Sequence, residues 1–319
     1  MTVMRQVFIA LSKSKPLGHF ATHNRVAWLA AQRFVAGQSL DEAIEVVRQL
    51  NAAGLRVTFD HLGENVSSRV EAEAAADTYL LAIDRIRAAG VDSGISVKLT
   101  AIGLDLGDAV AEAMLRRILE KAAEAEPAVF VRIDMEGSDY TERTFGIFHR
   151  LHGDFENVGI VVQAYLYRTA GDVDKLIAIG SGPRLCKGAY LEAESIAWPD
   201  KADVDASYLR LARRLFDDEA RRNGVYPAIA THDPTIIDWV KAHVAERGID
   251  RDAFEFQMLY GVRRDLQQQL VAEGYRMRVY VPYGSQWYPY YMRRLAERPE
   301  NVQFILRSLL SELKPGART

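Results

Sequence analysis

Short runs of β-branched and aromatic residues recur along the chain, separated by longer stretches with helical periodicity. Five runs follow a glycine by a few residues. Gly54 precedes Leu55–Phe59, Gly90 precedes Ile95–Leu99, Gly224 precedes Ala228–Thr231, Gly248 precedes Phe254–Gln257, and Gly274 precedes Met277–Val281. A glycine just past a helix accepts the left-handed conformation that L-residues resist. Val129–Ile133, Ile160–Ala164 and Arg184–Lys187 complete a set of eight runs. Near-continuous apolar character in segments this short predicts parallel strands buried on both faces. The runs start at intervals of about 30 residues, the size of one βα unit in an eight-fold barrel. The pattern therefore predicts an α/β protein, a TIM-type (βα)8 barrel, with an open doubly wound sheet as the rival architecture.

The expected divisions are a helical N-terminal extension over residues 1–54, the barrel over 55–312, and a frayed tail over 313–319. Ser39-Leu40-Asp41-Glu42 forms a capping-box pattern that opens a helix running to Ala53.

The 319 residues are 49% hydrophobic and 26% charged, which excludes a disordered or collagen-like chain. Forty Lys and Arg oppose 43 Asp and Glu, so no basic excess points to nucleic acid. Cys186 is the single cysteine, read as a small buried hydrophobe, and no internal disulfide can form. No apolar run approaches the roughly 18 residues a spanning helix needs, and Val7–Leu11 reads as neither signal peptide nor anchor. These features lead to the expectation of a cytoplasmic protein.

In a barrel of this type, function sits at the C-terminal ends of the strands. Those ends carry Asp60 and His61, Lys98, Asp134, Gln163, Lys187, Thr231 and His232, Gln257, and Tyr280. Lys98 lies in the apolar run Ser96-Val97-Lys98-Leu99 and needs a partner if buried. Asp134 is the candidate partner. The two form either a structural ion pair or a charged pocket wall in which Lys98 meets an anion. In Arg184-Leu185-Cys186-Lys187-Gly188-Ala189-Tyr190 both cations are expected on one side of the strand, facing an anionic or electron-rich ligand. Gly188 lets a ligand or backbone approach closely. After the last run, Pro289 suits the first turn of a helix. At 100° per residue, Tyr290, Arg293, Arg294 and Glu297 share one face. The two arginines are either solvated or form a carboxylate clamp, since guanidinium forks bind carboxylates bidentately. Glu297, one turn after Arg293, braces an arginine or meets a substrate ammonium. Phosphate-loop, dinucleotide, nucleophile-elbow and zinc-protease signatures are absent, and no metal is expected.

Taken together, these residues resemble the flavin-dependent proline dehydrogenases, specifically the short single-function bacterial type. The resemblance rests on Thr58-Phe59-Asp60-His61-Leu62-Gly63-Glu64, Arg184 to Tyr190, Ala230-Thr231-His232-Asp233, Phe254 to Gly261, Tyr280-Val281-Pro282-Tyr283-Gly284 and Arg293-Arg294. Where Cys186 stands, the family more often carries Val. The resemblance implies a distorted (βα)8 barrel that holds FAD and oxidises L-proline to Δ1-pyrroline-5-carboxylate. It also implies electron transfer to a membrane quinone, weak peripheral contact with the inner face of the cell membrane, and a separate downstream pyrroline-5-carboxylate dehydrogenase. By resemblance, Arg184 lies against the reactive edge of the flavin and Gln163 bonds the ring. Lys187, Gly188, Ala189, Thr231 and His232 hold the cofactor, with Met135 beside it. Lys98, Arg293 and Arg294 take the proline carboxylate. Asp134, Tyr190, Leu259, Tyr280, Tyr290 and Glu297 line the pocket, and Asp134 and Arg184 are the expected catalytic pair.

Two other readings remain at this point. Lys98 or Lys187 could form a Schiff base in a barrel aldolase or lyase. A non-catalytic barrel could merely hold a nucleotide.

Overall fold

A computed structural model describes residues 11–12, 14–22 and 24–297. Eight parallel strands close into a barrel in sequence order. They are β1 (Arg56–His61), β2 (Ser93–Val97), β3 (Val131–Ile133), β4 (Val158–Gln163), β5 (Arg184–Cys186), β6 (Ala228–Ala230), β7 (Glu255–Leu259) and β8 (Met277–Tyr283). β1 pairs with both β2 and β8, which closes the ring and rules out the open sheet.

Among the described residues, three helices with stated bounds precede β1: α1 (Lys15–Thr22), α2 (Arg25–Ala31) and α3 (Leu40–Ala52). The rest follow the strands: α4 (Arg69–Ala89), α5 (Asp108–Ala123), α6 (Ser138–His152), α7 (Thr169–Ala178), α8 (Lys201–Leu215), α9 (Asp218–Arg222), α10 (Pro234–Glu246), α11 (Arg264–Ala272) and α12 (Trp287–Glu297). The expected capping box is present: the Ser39 side chain accepts from the Glu42 amide, and Glu42 accepts from the Ser39 amide. Gly54, Gly90, Gly224, Gly248 and Gly274 all take positive φ at the turns that lead into strands.

Strand limits differ from the sequence expectation where the backbone has another partner. The Val129 amide donates to the Ala122 carbonyl at the end of α5, so β3 pairing begins at Val131. After Val97 the chain tightens into a 3₁₀ turn over Leu99–Ile102, which takes Leu99 out of β2.

The main apolar core lies between the strands and the surrounding helices, with Val57, Ile95, Val131, Ile160, Leu185 and Phe256 pointing outward to it. The opposite residues of each strand fill the barrel, because side chains alternate across a strand. This interior is polar. Arg132, Glu255 and Arg278 form its floor; Asp134, Gln257 and Tyr280 stand two residues further on along the same strands or just past their ends, and Asp60 and Lys98 join them from the ends of β1 and β2.

A second core joins the N-terminal extension to α12. Ala31, Phe34 and Val35 pack with Trp287, Tyr290, Tyr291 and Leu295. Trp28 meets Trp287 at 5.6 Å between ring centroids. The Ala36 amide donates to Pro282 and the Gly284 amide donates to Gly37. Gly261, at φ +75°, lies so close to the Arg33 carbonyl that a Cβ would overlap it. The extension therefore seats the helix that follows the last strand. The expected tail at 313–319 lies outside the described residues.

Candidate active site at the barrel mouth

Arg184 projects from β5 into the barrel and is almost fully buried. Its Nε donates to Gln257 Oε1 at 2.5 Å, Nη1 to Asp134 Oδ1 at 2.7 Å, and both Nη atoms to Ser96 Oγ at 3.2 Å. The Tyr280 hydroxyl donates to the other Asp134 oxygen at 2.6 Å, and the Arg184 guanidinium lies 5.2 Å from the Tyr280 ring centroid. Asp134 is thus fixed by a guanidinium on one oxygen and a phenol on the other. Burial keeps the Tyr280 phenol well above its ordinary range, and the Asp134 and Asp60 charges add to this, so it acts as a donor.

The expected Lys98–Asp134 pair does not form. Lys98 Nζ instead meets both oxygens of Asp60, at 3.0 and 3.2 Å. Register sets Asp134 abreast of Lys98 just past the end of β3, but its two oxygens are engaged by Arg184 and Tyr280, and Asp60, abreast of Ser96 on β1, takes the ammonium. Burial by itself would depress the Lys98 ammonium. The Asp60 and Asp134 carboxylates outweigh that and hold it well above the lysine range.

Arg184 and Lys187 do not share a side. Residues three apart on a strand face opposite ways, and β5 ends at Cys186. Lys187 therefore turns away from the interior, to Asp205 of α8 at 2.5 Å and Asp233 at the start of α10 at 2.8 Å. Cys186 is half-buried, and its thiol is pushed up to about 12 by desolvation, which keeps it unreactive.

The other expected residues ring this centre. Gln163, buried at the end of β4, donates to the Glu136 carbonyl at 3.0 Å. Met135 is buried beside it in sequence from Asp134. Thr231 Oγ1 accepts from the Asp233 amide, and His232 Nε2 accepts from the Leu259 amide at 2.9 Å. That last bond leaves Nδ1 as the protonated nitrogen of a neutral imidazole. Gly188, at φ +116°, lies against the Tyr165 ring where no Cβ fits. Ala189 is exposed and Tyr190 half-buried, both on the segment after β5.

On α12, Tyr290 is buried and the Arg294 guanidinium lies 5.0 Å from its ring centroid. Arg293 Nη1 contacts Glu64 Oε1 at 3.1 Å. Glu64 follows β1 and braces Arg293; the side chain of Glu297, expected in such a part, lies outside the described residues.

Asp60, Glu64, Ser96 and Gln257 belong to the arrangement without having been assigned a part from the sequence. Asp60 and Gln257 stood at polar strand ends. Glu64 lay inside a matching segment, but its contact with α12, more than two hundred residues later, leaves no local signal.

The donor set fits a flavin. A buried cationic guanidinium and a primary amide stand on the neighbouring strands β5 and β4, paired through Gln163 and Cys186. Past them Lys187, Gly188, Ala189, Thr231 and His232 form a partly open rim on two consecutive strand ends. Among the described residues no group of three His, Cys, Asp or Glu side chains could hold a metal, and no helix is long and apolar enough to cross a membrane.

Comparison with known proteins shows the family of the chain. Residues 43–307 match the family described as proline dehydrogenase. The chain is 44% identical to proline dehydrogenase 1 of Bacillus subtilis (strain 168), over 97% of this chain and 100% of that protein. It is 44% identical to the proline dehydrogenase of Deinococcus radiodurans, over 89% of this chain and 91% of that one. Among solved structures, proline utilization A from Bdellovibrio bacteriovorus inactivated by N-propargylglycine superposes with a TM-score of 0.79 at 27% identity. The match covers 90% of this chain and 34% of that longer one.

Proposed function

We propose that this chain, which belongs to the proline dehydrogenase family, oxidises L-proline at the charged mouth of its barrel. Proline oxidation is the first step of proline catabolism. The observation that carries the reading is the pair of buried cations at the strand ends, Lys98 and Arg184, with Arg293 of α12 brought beside them by Glu64.

Proline is a small zwitterion with one carboxylate and an apolar ring. Lys98, Arg293 and Arg294 supply the anion contacts, and charge-assisted bonds of this kind exceed neutral ones in strength. Leu259, Tyr190, Tyr280 and Tyr290 offer surfaces that cover the ring and exclude water. Arg184 and Gln163 would hold FAD, together with Lys187, Gly188, Ala189, Thr231 and His232, with Met135 as an apolar wall. When bound, FAD supplies the two-electron acceptor for a hydride from the ring carbon next to nitrogen. Arg184 sets a fixed positive charge where negative charge arrives, and its bonds to Asp134, Ser96 and Gln257 prevent reorientation. The proline nitrogen must first lose a proton so that its lone pair can form the C=N bond of Δ1-pyrroline-5-carboxylate. The rate should therefore rise with pH through one apparent ionisation.

Electrons then pass to a membrane quinone at a peripheral contact with the inner face of the cell membrane, and the product goes to a separate dehydrogenase. Exposed Leu17 and Phe20 on α1 and Leu29 on α2 support the membrane contact. The chain otherwise remains cytoplasmic in this reading.

A Schiff-base lyase needs a neutral amine. Lys98 is held charged against Asp60, and Lys187 is engaged by two carboxylates, so neither lysine favours that reading. The visible spectrum of the purified protein before and after anaerobic L-proline tests the proposal. A yellow preparation that L-proline bleaches is expected. A preparation that cannot take up flavin, or whose colour L-proline leaves unchanged, overturns it.

A further inference from the structure

Lys98 is the last residue before the 3₁₀ turn, and its ammonium is one of the most buried charges in the molecule. Asp60 is more buried still, at 1% exposure of its side chain. Several ionisable groups face Lys98 from the surrounding elements. Asp60 and His61 come from β1, Glu64 from the segment after it, and Tyr79 from α4. Asp134 and Glu136 come from the segment after β3, and Tyr190 from the segment after β5. Each of the other carboxylates is occupied elsewhere. Asp134 holds Arg184 and Tyr280. Glu136 accepts from the Thr100 amide and hydroxyl. Glu64 contacts Arg293. The Tyr79 and Tyr283 hydroxyls nearby are buried with no hydrogen-bond partner among the described residues, and a neutral phenol brings no charge. Among the described residues, Asp60 is thus the carboxylate bonded to Lys98.

We propose that Asp60 is a positioning residue for substrate binding: it keeps Lys98 charged and anchored, so that the third ammonium hydrogen is free for the substrate carboxylate. The inference rests on the assignment of Lys98 to the carboxylate site. An ammonium carries three donors, and two are spent on Asp60. Removal of the counter-ion leaves a buried cation whose cheapest response is to lose its proton. Lys98 then still fills its space but no longer attracts an anion. Arg293 and Arg294 stay charged throughout, so binding weakens without being abolished.

The test uses the full chain with its flavin and measures the Kd of cyclopentanecarboxylate between about pH 6 and 9, where this probe carries no titrating amine and stays ionised. In the native protein the Kd stays flat across that range. In Asp60→Asn the Kd rises about tenfold or more toward the alkaline end, as Lys98 loses its proton. Asp60→Glu restores the flat profile, because it returns the charge. Turnover shows the same division: the KM for proline rises in Asp60→Asn while kcat at saturation falls far less. A pH-independent Kd in Asp60→Asn, whether raised or not, overturns the proposal, because a merely structural loss would not titrate. A native Kd that climbs within this range overturns it without any variant. Lys98→Met separates the two levels. If it binds the probe as the native protein does, the carboxylate assignment fails and the inference with it. If it binds weakly while Asp60→Asn stays flat, the inference alone fails.

Discussion

The floor and the mouth of this barrel are both built from buried charges, two residues apart on the same strands, yet they are wired differently. At the floor, Arg132 Nη1 donates to the Gly182 and Ile160 carbonyls, and Arg278 bonds Glu255 and the Val57 carbonyl. Three of these four bonds end on backbone carbonyls and the fourth on Glu255. At the mouth, Arg132 gives way to Asp134, Glu255 to Gln257 and Arg278 to Tyr280. There the contacts run between side chains, and two cations face two anions beneath the arginines of α12. A TIM barrel ordinarily fills this space with branched apolar residues. The difference shows that charge burial by itself does not mark a site. The floor spends its cations on backbone carbonyls and Glu255, which Gln257 links to Arg184, whereas the cations of the mouth pair with carboxylates at the strand ends.

Deleting the single anion of the floor should give the largest effect. Glu255→Ala leaves Arg132 and Arg278 buried together without a counter-ion and should lower stability by about 3–5 kcal/mol. Denaturant unfolding followed by circular dichroism measures it. A loss under about 1 kcal/mol would mean that the backbone carbonyls alone satisfy both guanidinium groups. At the mouth the same kind of deletion should act on function instead. Arg293→Met or Arg294→Met should weaken proline binding by roughly 2–5 kcal/mol with flavin retained. If either variant keeps native affinity, that arginine does not meet the carboxylate. Arg184→Ala should slow flavin reduction or loosen the flavin while leaving Lys98 in place. Stopped-flow reduction and flavin content read the two outcomes, and native values for both would remove Arg184 from the chemistry.

The same comparison explains what the sequence could reveal. Eight apolar runs, five of them preceded by a glycine, announce eight strands because the outward faces obey a strong periodic rule, and closure follows from their number. The polar strand ends likewise announce a mouth. The choice of partners is another matter. Lys98 pairs with Asp60 although register sets Asp134 abreast of it on β3, because Arg184 and Tyr280 already hold both Asp134 oxygens, a fact of three-dimensional wiring and not of spacing along the chain. Arg184 and Lys187 look alike in sequence but diverge once β5 stops at Cys186. The contact of Arg293 with Glu64 requires the N-terminal extension to seat α12, and a docking of that kind leaves no periodic trace. Fold class is legible because it repeats; charge pairing is not, because each pair is made once.

Acid should separate floor from mouth more gently. Glu255 is desolvated, which by itself raises a carboxyl. The Arg278 guanidinium, hydrogen bonds from Arg278 and Gln257, and the Arg132 charge outweigh this and hold it below the ordinary glutamate range. A carboxylate depressed on folding stabilises the native state fully above its unfolded pKa of about 4.3, and that stabilisation is lost as the pH falls through the folded value. Asp60 and Glu136 at the mouth move the opposite way, raised chiefly by burial, so protonation there favours the folded state. The acid-side fall in melting temperature should therefore be shallower in Glu255→Gln than in the native protein, from a lower starting point. The expected difference in slope is small, because one group exchanges at most one proton. Melting curves taken at steps below about pH 5 read it. Parallel slopes in the two proteins would shift the origin of acid sensitivity from the floor to the surface ion pairs.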